Sequence, residues 1–205
     1  NKRTTILEFG TGWSSLIFYK ALSELKKKNL KKTTQLRRNN PFELFIVDSE
    51  KKYLNISKNR IKNYSKLQSS DEKCKFHYLY SDVEMIQYNY NIATEYKKIH
   101  NCNPDFIYLD GPDQFKVKKK INGISTNHKD MMPMSADILK IEYFLTPGTI
   151  ILVDGRSANA QFMKDNFKRK WAYKHEKKYD QHIFLLKADV LGKYNKLQLE
   201  FYKSR

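Results

Sequence analysis

Short apolar runs that alternate with helical segments are the sequence feature that most constrains the fold of this chain. Each run is brief, rich in β-branched and aromatic residues and bounded by turn residues, as in buried strands. Between the runs, apolar side chains recur at helical spacing. Strands that alternate with helices require right-handed crossovers and produce a mainly parallel sheet covered on both faces. The predicted strands are 6–9, 42–47, 76–80, 106–109, 149–153 and 182–186, and helical periodicity is clear in 17–25, 134–145 and 160–167.

The length and the apolar pattern predict one soluble domain. A chain of 205 residues matches a single domain spanning 1–205. No apolar run approaches the ~20 residues of a membrane helix, so the sequence predicts no membrane span. Cys74 and Cys102 are too few for a disulfide framework, which favours a reducing compartment and a cytoplasmic location. The chain starts with Asn1 rather than Met and leads straight into a strand, which leaves open a missing upstream segment.

The chain is strongly basic, with 39 Lys and Arg against 22 Asp and Glu and a formal net charge of +17. Lysines cluster in 26–32 and 116–120. Such a surface attracts nucleic acid, phosphorylated sugars or anionic membranes, although a solvated lysine face is the simpler interpretation. Two segments without clear periodicity, 29–41 and 115–133, are predicted as long loops, and the second has the length of a lid.

Glycines and acidic residues mark one edge of the predicted sheet. The chain has only seven glycines, and four of them follow predicted strands: Gly10, Gly12, Gly111 and Gly155. Ligands of open parallel sheets bind outside the carboxyl ends of the strands, where the backbone turns tightly and approaches the ligand closely. Acidic residues occur at the same edge, namely Glu8, Asp48, Asp82, Asp110 and Asp154. The sequence therefore predicts a ligand site at this edge, although any single acid could instead cap a helix.

One segment at this edge carries a resemblance to a known family. Glu8-Phe9-Gly10-Thr11-Gly12-Trp13-Ser14 follows a strand and opens a helix. Together with the later acids, it resembles the first motif of the class I S-adenosylmethionine-dependent methyltransferases. Asp48 corresponds to the acidic end of that family's second strand, the Ser81–Asp82 pair to its adenine-contacting turn, and the residues from Asp110 to Asp113 to its fourth motif. The resemblance covers residues 4 to about 186 and implies an α/β fold with a Rossmann-like doubly wound, mainly parallel seven-stranded sheet and helices on both faces.

A dinucleotide dehydrogenase is the competing interpretation of this glycine turn. Its fingerprint requires a third glycine where this chain has Ser15, and an acid about 20 residues after the glycines. Asp48 follows Gly10 by 38 residues. These departures favour the methyltransferase interpretation.

The resemblance implies a role for each residue at the edge. Asp48 would accept hydrogen bonds from the ribose hydroxyls of S-adenosylmethionine, and Glu8 would lie near its ammonium group. N–H groups at the start of the Ser14 helix would face the cofactor carboxylate. Asp82 would accept a hydrogen bond from the adenine amino group. Asp110 is the candidate base that would remove the proton of the hydroxyl group to be methylated. The implied cofactor-binding set is Glu8, Gly10, Thr11, Gly12, Ser14, Asp48, Ser49, Asp82 and Asp110.

A magnesium site and an acceptor site are weaker implications of the same resemblance. Catechol-type O-methyltransferases hold Mg²⁺ with carboxylates that correspond to Asp110 and Asp154, and oxygen ligands suit this cation. Gly155 replaces the Asn of that site, so a metal is not favoured. Asp113 and Arg156 are the candidate acceptor-binding residues, since Arg156 could grip an anionic acceptor or pair with Asp154.

The acceptor is predicted by elimination. Nucleic-acid amino-methyltransferases often carry Asp/Asn-Pro-Pro-aromatic at the fourth strand, where the target base stacks. This chain has Asp110-Gly111-Pro112-Asp113 and lacks both the second proline and the aromatic residue. A small-molecule or saccharide hydroxyl is therefore the preferred acceptor. An RNA methyltransferase, suggested by the charge, and a non-catalytic nucleotide-binding protein remain as alternatives.

Overall fold

The computed structural model describes residues 2–204. The described chain forms five helices, α1 (Trp13–Thr33), α2 (Lys51–Lys66), α3 (Asp137–Ile141), α4 (Ser157–Asn166) and α5 (Gly192–Lys203). Its ten strands are β1 (Thr5–Phe9), β2 (Glu43–Asp48), β3 (Lys75–Tyr80), β4 (Val83–Tyr88), β5 (Asn91–Tyr96), β6 (Phe106–Leu109), β7 (Val117–Lys118), β8 (Ile150–Asp154), β9 (Trp171–Glu176) and β10 (Gln181–Leu186). None of the described helices has the length and apolar content needed to cross a membrane.

Seven strands form the main sheet in the order β3-β2-β1-β6-β8-β10-β9. The first five strands in this order are parallel, β10 runs antiparallel to β8, and β9 runs antiparallel to β10. Strand β1 lies inside the parallel part and is buried at every residue. All six predicted strands are confirmed, because each coincides with a strand of this sheet within one residue at either end: 6–9, 42–47, 76–80, 106–109, 149–153 and 182–186.

The prediction of a Rossmann-like doubly wound sheet is wrong. A Rossmann sheet has the order 3-2-1-4-5-6, whereas here the last strand, β10, inserts antiparallel between β8 and β9. The local cause is the short connection between β9 and β10. It consists of a 3₁₀ turn, Lys177–Tyr179, and Asp180 in the left-handed region at φ 50°. A connection this short joins only antiparallel strands.

A second sheet, in the order β5-β4-β7, was also missing from the predicted fold. Strands β4 and β5 form a hairpin that begins directly after β3, and β7 pairs in parallel with the start of β4. Strand β7 belongs to the segment 115–133, which was predicted as a loop and lid. The parallel pairing of Val83 with Val117 fixes the start of this segment on the second sheet.

Helices cover the main sheet on both faces, and each face has its own core. On one face, Tyr19 and Leu22 of α1 pack with Leu44 and Ile46 of β2 and with Ile61 of α2. The opposite face carries Leu7 and Phe9 of β1 together with residues of α3, α4 and the second sheet. Because side chains alternate along a strand, Glu8 lies on the α1 side. The alternation thereby brings a carboxyl group beneath the first turn of α1.

Candidate functional site

The carboxyl ends of β1, β2 and β6 form the candidate site. Strand β1 has β2 on one side and β6 on the other, although β6 follows much later in the chain. In an open parallel sheet, the crevice where the chain changes direction in this way is the usual ligand position. Glu8, Asp48 and Asp110 reach this crevice from β1, from the end of β2 and from the turn after β6.

Two glycines at this edge are required by a contact between the loops after β1 and β6. Gly10 has a φ of +85°, and a Cβ atom there would lie 2.8 Å from the Asp110 carbonyl carbon and from the Gly111 nitrogen. A Cβ at Gly111 would lie 2.7 Å from the Tyr96 hydroxyl. Gly12 differs, since its Cβ would meet only the Ser14 Oγ, at an ordinary 3.8 Å. Of these three glycines, Gly12 is therefore the one that leaves open space.

Asp48 holds the glycine loop against the end of β2. Its Oδ2 accepts a hydrogen bond from the Thr11 N–H at 2.7 Å, and its Oδ1 accepts from the Glu50 N–H at 2.8 Å. Burial raises the pKa of Asp48, and these two hydrogen bonds oppose that rise. The sequence resemblance implied a ribose contact for Asp48, whereas the contacts that the structure shows are with two backbone N–H groups.

Glu8 is the most unusual group in the site, because it is fully buried and only one of its two carboxyl oxygens has a hydrogen-bond partner. Its Oε1 accepts from the Ser14 hydroxyl at 2.5 Å, whereas Oε2 has no hydrogen-bond partner within residues 2–204. Burial raises the pKa of Glu8 to about 8, and the serine hydroxyls partly offset this rise. A buried polar atom without a partner is costly. The Oε2 atom is thus a position at which an added hydrogen-bond donor would be strongly stabilised.

The first turn of α1 lies beside Glu8. Whereas the Glu8 carboxylate favours a cation, this turn favours an anion. The N-cap residue, Gly12, has no side chain to accept from the first backbone N–H groups, and the first turn contains no acid. The free N–H groups of a helix start and the helix dipole favour an anion. Thr11 Oγ1 and Ser15 Oγ, 2.9 Å apart, fix the loop that leads into this turn. A position that favours a cation and a position that favours an anion are therefore neighbours.

A cavity of about 310 Å³ continues the site past the ends of β2 and β3. The Ser49 hydroxyl in its wall is buried and has no partner among the described residues. Asp82 accepts from the Tyr80 hydroxyl at 2.9 Å and pairs with Lys118 at 2.8 Å, and these contacts lower its pKa. Glu50, which sequence reasoning missed, lies two residues after Asp48. The lining residues are Ser49, Glu50, Lys51, Lys52, Tyr80, Asp82, Lys116 and Lys118.

Asp110 is the accessible acid of the site. Its side chain is 54% exposed, and partial burial raises its pKa while the neighbouring Arg156 opposes the rise. Arg156 Nη2 donates to the carbonyl oxygens of Asp110 and Pro112 at 3.0 and 2.9 Å. Arg156 thus positions the Asp110 turn, whereas the sequence left it between an acceptor and Asp154. Asp113 accepts from the Phe115 N–H at 2.8 Å and caps a 3₁₀ turn at the exposed rim.

Asp154 is engaged by neighbouring side chains. Its Oδ2 accepts from the Tyr108 hydroxyl at 2.5 Å, and its Oδ1 accepts from the Gln181 amide at 3.2 Å. Both oxygens therefore already have a donor. Within residues 2–204, no third His, Cys, Asp or Glu side chain forms a metal-sized cluster with Asp110 and Asp154, so the structure adds no support for the magnesium site that the sequence did not favour.

Another group within residues 2–204 has the composition of a metal site: His175, Asp180 and His182. The two imidazole rings are stacked, with centroids 4.0 Å apart and planes 15° from parallel. Nitrogen lone pairs lie in the ring plane, so those of stacked rings do not converge on one ion at ~2.0–2.1 Å. The His182 nitrogens also contact the hydroxyls of Ser157 and Tyr173 at 2.8 and 2.9 Å. We therefore assign no metal centre to this group.

Comparisons with protein-family models, with curated proteins and with solved structures found no match. Function must then be inferred from the chemistry of the site, because a fold alone does not specify it.

Proposed function

We propose that this protein is an S-adenosylmethionine-dependent methyltransferase that acts on a hydroxyl group of a small molecule or saccharide. The observation that carries the proposal is the unpartnered Oε2 of Glu8, which is fully buried beside the uncapped start of α1. The methionine end of the cofactor has an ammonium and a carboxylate attached to the same carbon atom. Glu8 favours the ammonium and the first turn of α1 favours the carboxylate.

The short distance between these two positions supports a single zwitterionic ligand. Ser14, the second residue of α1, donates directly to Glu8, so the helix start and the carboxyl group are in contact. A lone cation would leave the helix N–H groups unsatisfied, and a lone anion would leave Glu8 unsatisfied. An α-amino acid group satisfies both.

The cavity beyond Asp48 fits the remaining nucleoside part of the cofactor. Asp48 stands between the glycine loop and Ser49, where the ribose hydroxyls would reach its carboxylate. The buried Ser49 hydroxyl and the wall formed by Tyr80 and Asp82 would then contact the sugar and the base. Gly10, Thr11 and Gly12 shape the loop between the two halves of the ligand.

When bound, S-adenosylmethionine supplies an electrophilic methyl group on a sulfonium. The protein's own part is to hold the acceptor and to remove its proton. Asp110 suits proton removal because its carboxylate is accessible at the carboxyl end of β6 and its pKa is raised. Arg156 keeps the Asp110 turn in place through two carbonyl contacts. Holding the reacting groups in line can account for most of the catalysis in such a displacement.

A polymeric RNA acceptor has less support. In the basic segment 116–120, Lys116 pairs with Glu50, Lys118 with Asp82 and Lys119 with Glu84. Lysines neutralised by acids of the same protein contribute little to a nucleic-acid footprint. This segment therefore does not favour a nucleic acid at the rim of the site.

Calorimetric titration with S-adenosylhomocysteine, the demethylated product, tests the cofactor assignment. We expect one-to-one binding at pH 8 that Glu8→Gln weakens at least about tenfold. Glu24→Gln is the matched control, because Glu24 lies exposed on α1 and should leave the affinity unchanged. Absence of binding to folded protein would refute the proposal.

Transfer of labelled methyl groups separates the acceptor classes. We expect label from S-adenosylmethionine to enter a hydroxyl-bearing saccharide or small-molecule acceptor and not total RNA. Asp110→Asn should abolish transfer while S-adenosylhomocysteine still binds. Label in RNA alone would instead favour a nucleic-acid methyltransferase, and binding without transfer to any acceptor would favour a non-catalytic nucleotide-binding protein.

A further inference from the structure

The amino edge of the main sheet, opposite the candidate site, contains a small polar cavity of about 130 Å³. Thr5 begins β1, Asn39 and Asn40 precede β2, and Asn103 precedes β6. The cavity is therefore separated from Glu8 and Asp110 by the length of the strands. Its lining residues are Thr5, Arg37, Arg38, Asn39, Asn40 and Asn103.

Arg38 is the central group of this cavity. Its side chain is only 4% exposed, and its Nη2 donates to the Asn103 carbonyl at 2.6 Å. Its Nε and Nη1 are buried and have no acceptor among residues 2–204. The nearest carboxylate oxygen to Nη1, Asp105 Oδ2, is 3.8 Å away, too far for a hydrogen bond. Two donors of a buried guanidinium thus lack partners, which is costly without a ligand.

Asp105 forms an ion pair with Arg38 at 3.8 Å, but its oxygens accept their hydrogen bonds from other groups. It accepts from the backbone N–H groups of Thr4 and Thr5, from the Thr4 hydroxyl and from the Tyr202 hydroxyl, at 2.8–3.1 Å. Burial lowers the pKa of Arg3; the negative charge of Asp105 opposes this fall, whereas the positive charge of Arg38 adds to it. Arg3 and Arg38 thus share a single carboxylate, and Arg37 adds a third guanidinium at the wall of the cavity.

Other groups at the mouth of the cavity strengthen this preference for an anion. Arg37 is exposed, and its guanidinium lies over the Tyr194 ring at 5.3 Å. The side-chain amide of Asn40 donates to Glu43 at 3.1 Å, but Glu43 does not line the cavity. The lining therefore consists of cations, amides and a hydroxyl, without an acid.

We propose that this cavity binds a phosphate group, either free phosphate or the terminal phosphate of a small phosphorylated metabolite. A volume of about 130 Å³ has room for the five heavy atoms of a phosphate group. The free Nε–H and Nη1–H groups of Arg38 point to different sides of its guanidinium, so Nη1 can donate to one phosphate oxygen while the Arg37 guanidinium donates to another. Asparagine amides can donate to the remaining oxygens, and a dianion balances the excess of guanidinium charge.

Calorimetric titration of the full chain with inorganic phosphate and with glycerol phosphate tests this proposal. We expect saturable one-to-one binding that Arg38→Gln weakens at least about tenfold. Lys31→Gln removes an equal charge from the exposed end of α1 without altering the cavity, and should change the affinity less than about twofold. S-adenosylhomocysteine binding should be the same in Arg38→Gln as in the wild type, so this proposal and the proposed function can fail separately.

Three outcomes would overturn the phosphate site: no saturable binding to folded wild-type protein, unchanged affinity in Arg38→Gln, or equal weakening by Lys31→Gln. If circular dichroism shows that Arg38→Gln is unfolded, Arg37→Ala replaces it, because Arg37 is exposed and its loss should spare the fold while weakening binding about threefold or more. Tighter binding of glycerol phosphate than of phosphate would assign the site to a phosphorylated metabolite. Equal binding would assign it to the free anion.

Discussion

Lowering the pH from 8 to 6 should weaken the binding of S-adenosylhomocysteine, because Glu8 must lose a proton when an ammonium group arrives. Burial raises the pKa of the ligand-free Glu8 to about 8. An ammonium at Oε2 stabilises the charged carboxylate and lowers this pKa in the complex. Binding therefore releases a proton at any pH below about 8. The affinity should be greatest above this value and should decline as the pH falls.

The size of the effect follows from linkage. At pH 8 about half of the ligand-free Glu8 is ionised, whereas at pH 6 only about 1% is. If Glu8 is fully ionised in the complex, the dissociation constant rises about 50-fold over this range. The ligand's own ammonium stays protonated throughout, so it does not cancel the trend.

Calorimetry at pH 6, 7 and 8, in two buffers of different ionisation enthalpy, measures both the affinity and the number of protons released. We expect about 0.9 proton per ligand at pH 7. Glu8→Gln cannot titrate, so its weaker binding should be independent of pH. Glu24→Gln should reproduce the wild-type profile. Equal wild-type affinities at pH 6 and 8, or the same profile in Glu8→Gln, would refute the assignment of the ammonium to Glu8.

Three further predictions concern the ligand-free protein and the metal. Burial raises the pKa of Asp137 to about 7 and that of Glu8 to about 8. Because both carboxyl groups bind a proton more tightly in the folded protein, the stability they contribute is fully present below about pH 4 and is lost as the pH rises toward 8. Urea unfolding should show a falling free energy, by at most about 1.4 kcal/mol per pH unit for each group, and Glu8→Gln should reduce the slope. Gly10→Ala should cost about 1–3 kcal/mol or more in the same assay, because of its φ of +85° and the 2.8 Å backbone contacts. Gly12→Ala should cost less than about 1 kcal/mol, and equal losses would contradict the loop contact. Methyl transfer should persist in excess chelator, because among the described residues no third His, Cys, Asp or Glu side chain forms a metal-sized cluster with Asp110 and Asp154, and loss of activity there would instead favour magnesium.

The sequence could predict which residues lie at the carboxyl edge of the sheet, where the candidate site is, but it could not predict the orientation of the last strand. Gly10 and Asp48 directly follow apolar runs, so their positions at the carboxyl ends of strands follow from the chain order. The direction of β10 depends on the conformation of Asp180, a non-glycine residue at φ 50°. The identity of this residue does not predict the left-handed conformation, since Asp also occurs in ordinary turns and helix caps.

The second sheet was missed for a similar reason. The hairpin between β4 and β5 turns at Asn89 and Tyr90, both with positive φ, at 47° and 65°. Hairpin turns of this kind are usually recognised by Asn-Gly or Asp-Gly, and Tyr is a rare second residue. The turn signal was therefore weak.

The chemical state of the candidate site depends on burial, which local sequence does not encode. The pattern identified Glu8, but only the packing of α1 over β1 shows that one of its oxygens lacks a partner. The same holds for Arg38, which belongs to a basic run of ordinary appearance. Its enclosure by the ends of β1, β2 and β6 turns an ordinary cation into a group with two unsatisfied donors.

The close approach of the Gly10 and Gly111 backbones limits how the two loops of the candidate site can change. With no side chain between the two loops, a shift of one forces a shift of the other. Under the proposed function, a change near Gly111 that alters the acceptor would therefore also disturb the proposed cofactor loop. Changes in acceptor choice would have to use exposed positions farther out, such as Asp113 and Phe115, which leave the junction intact.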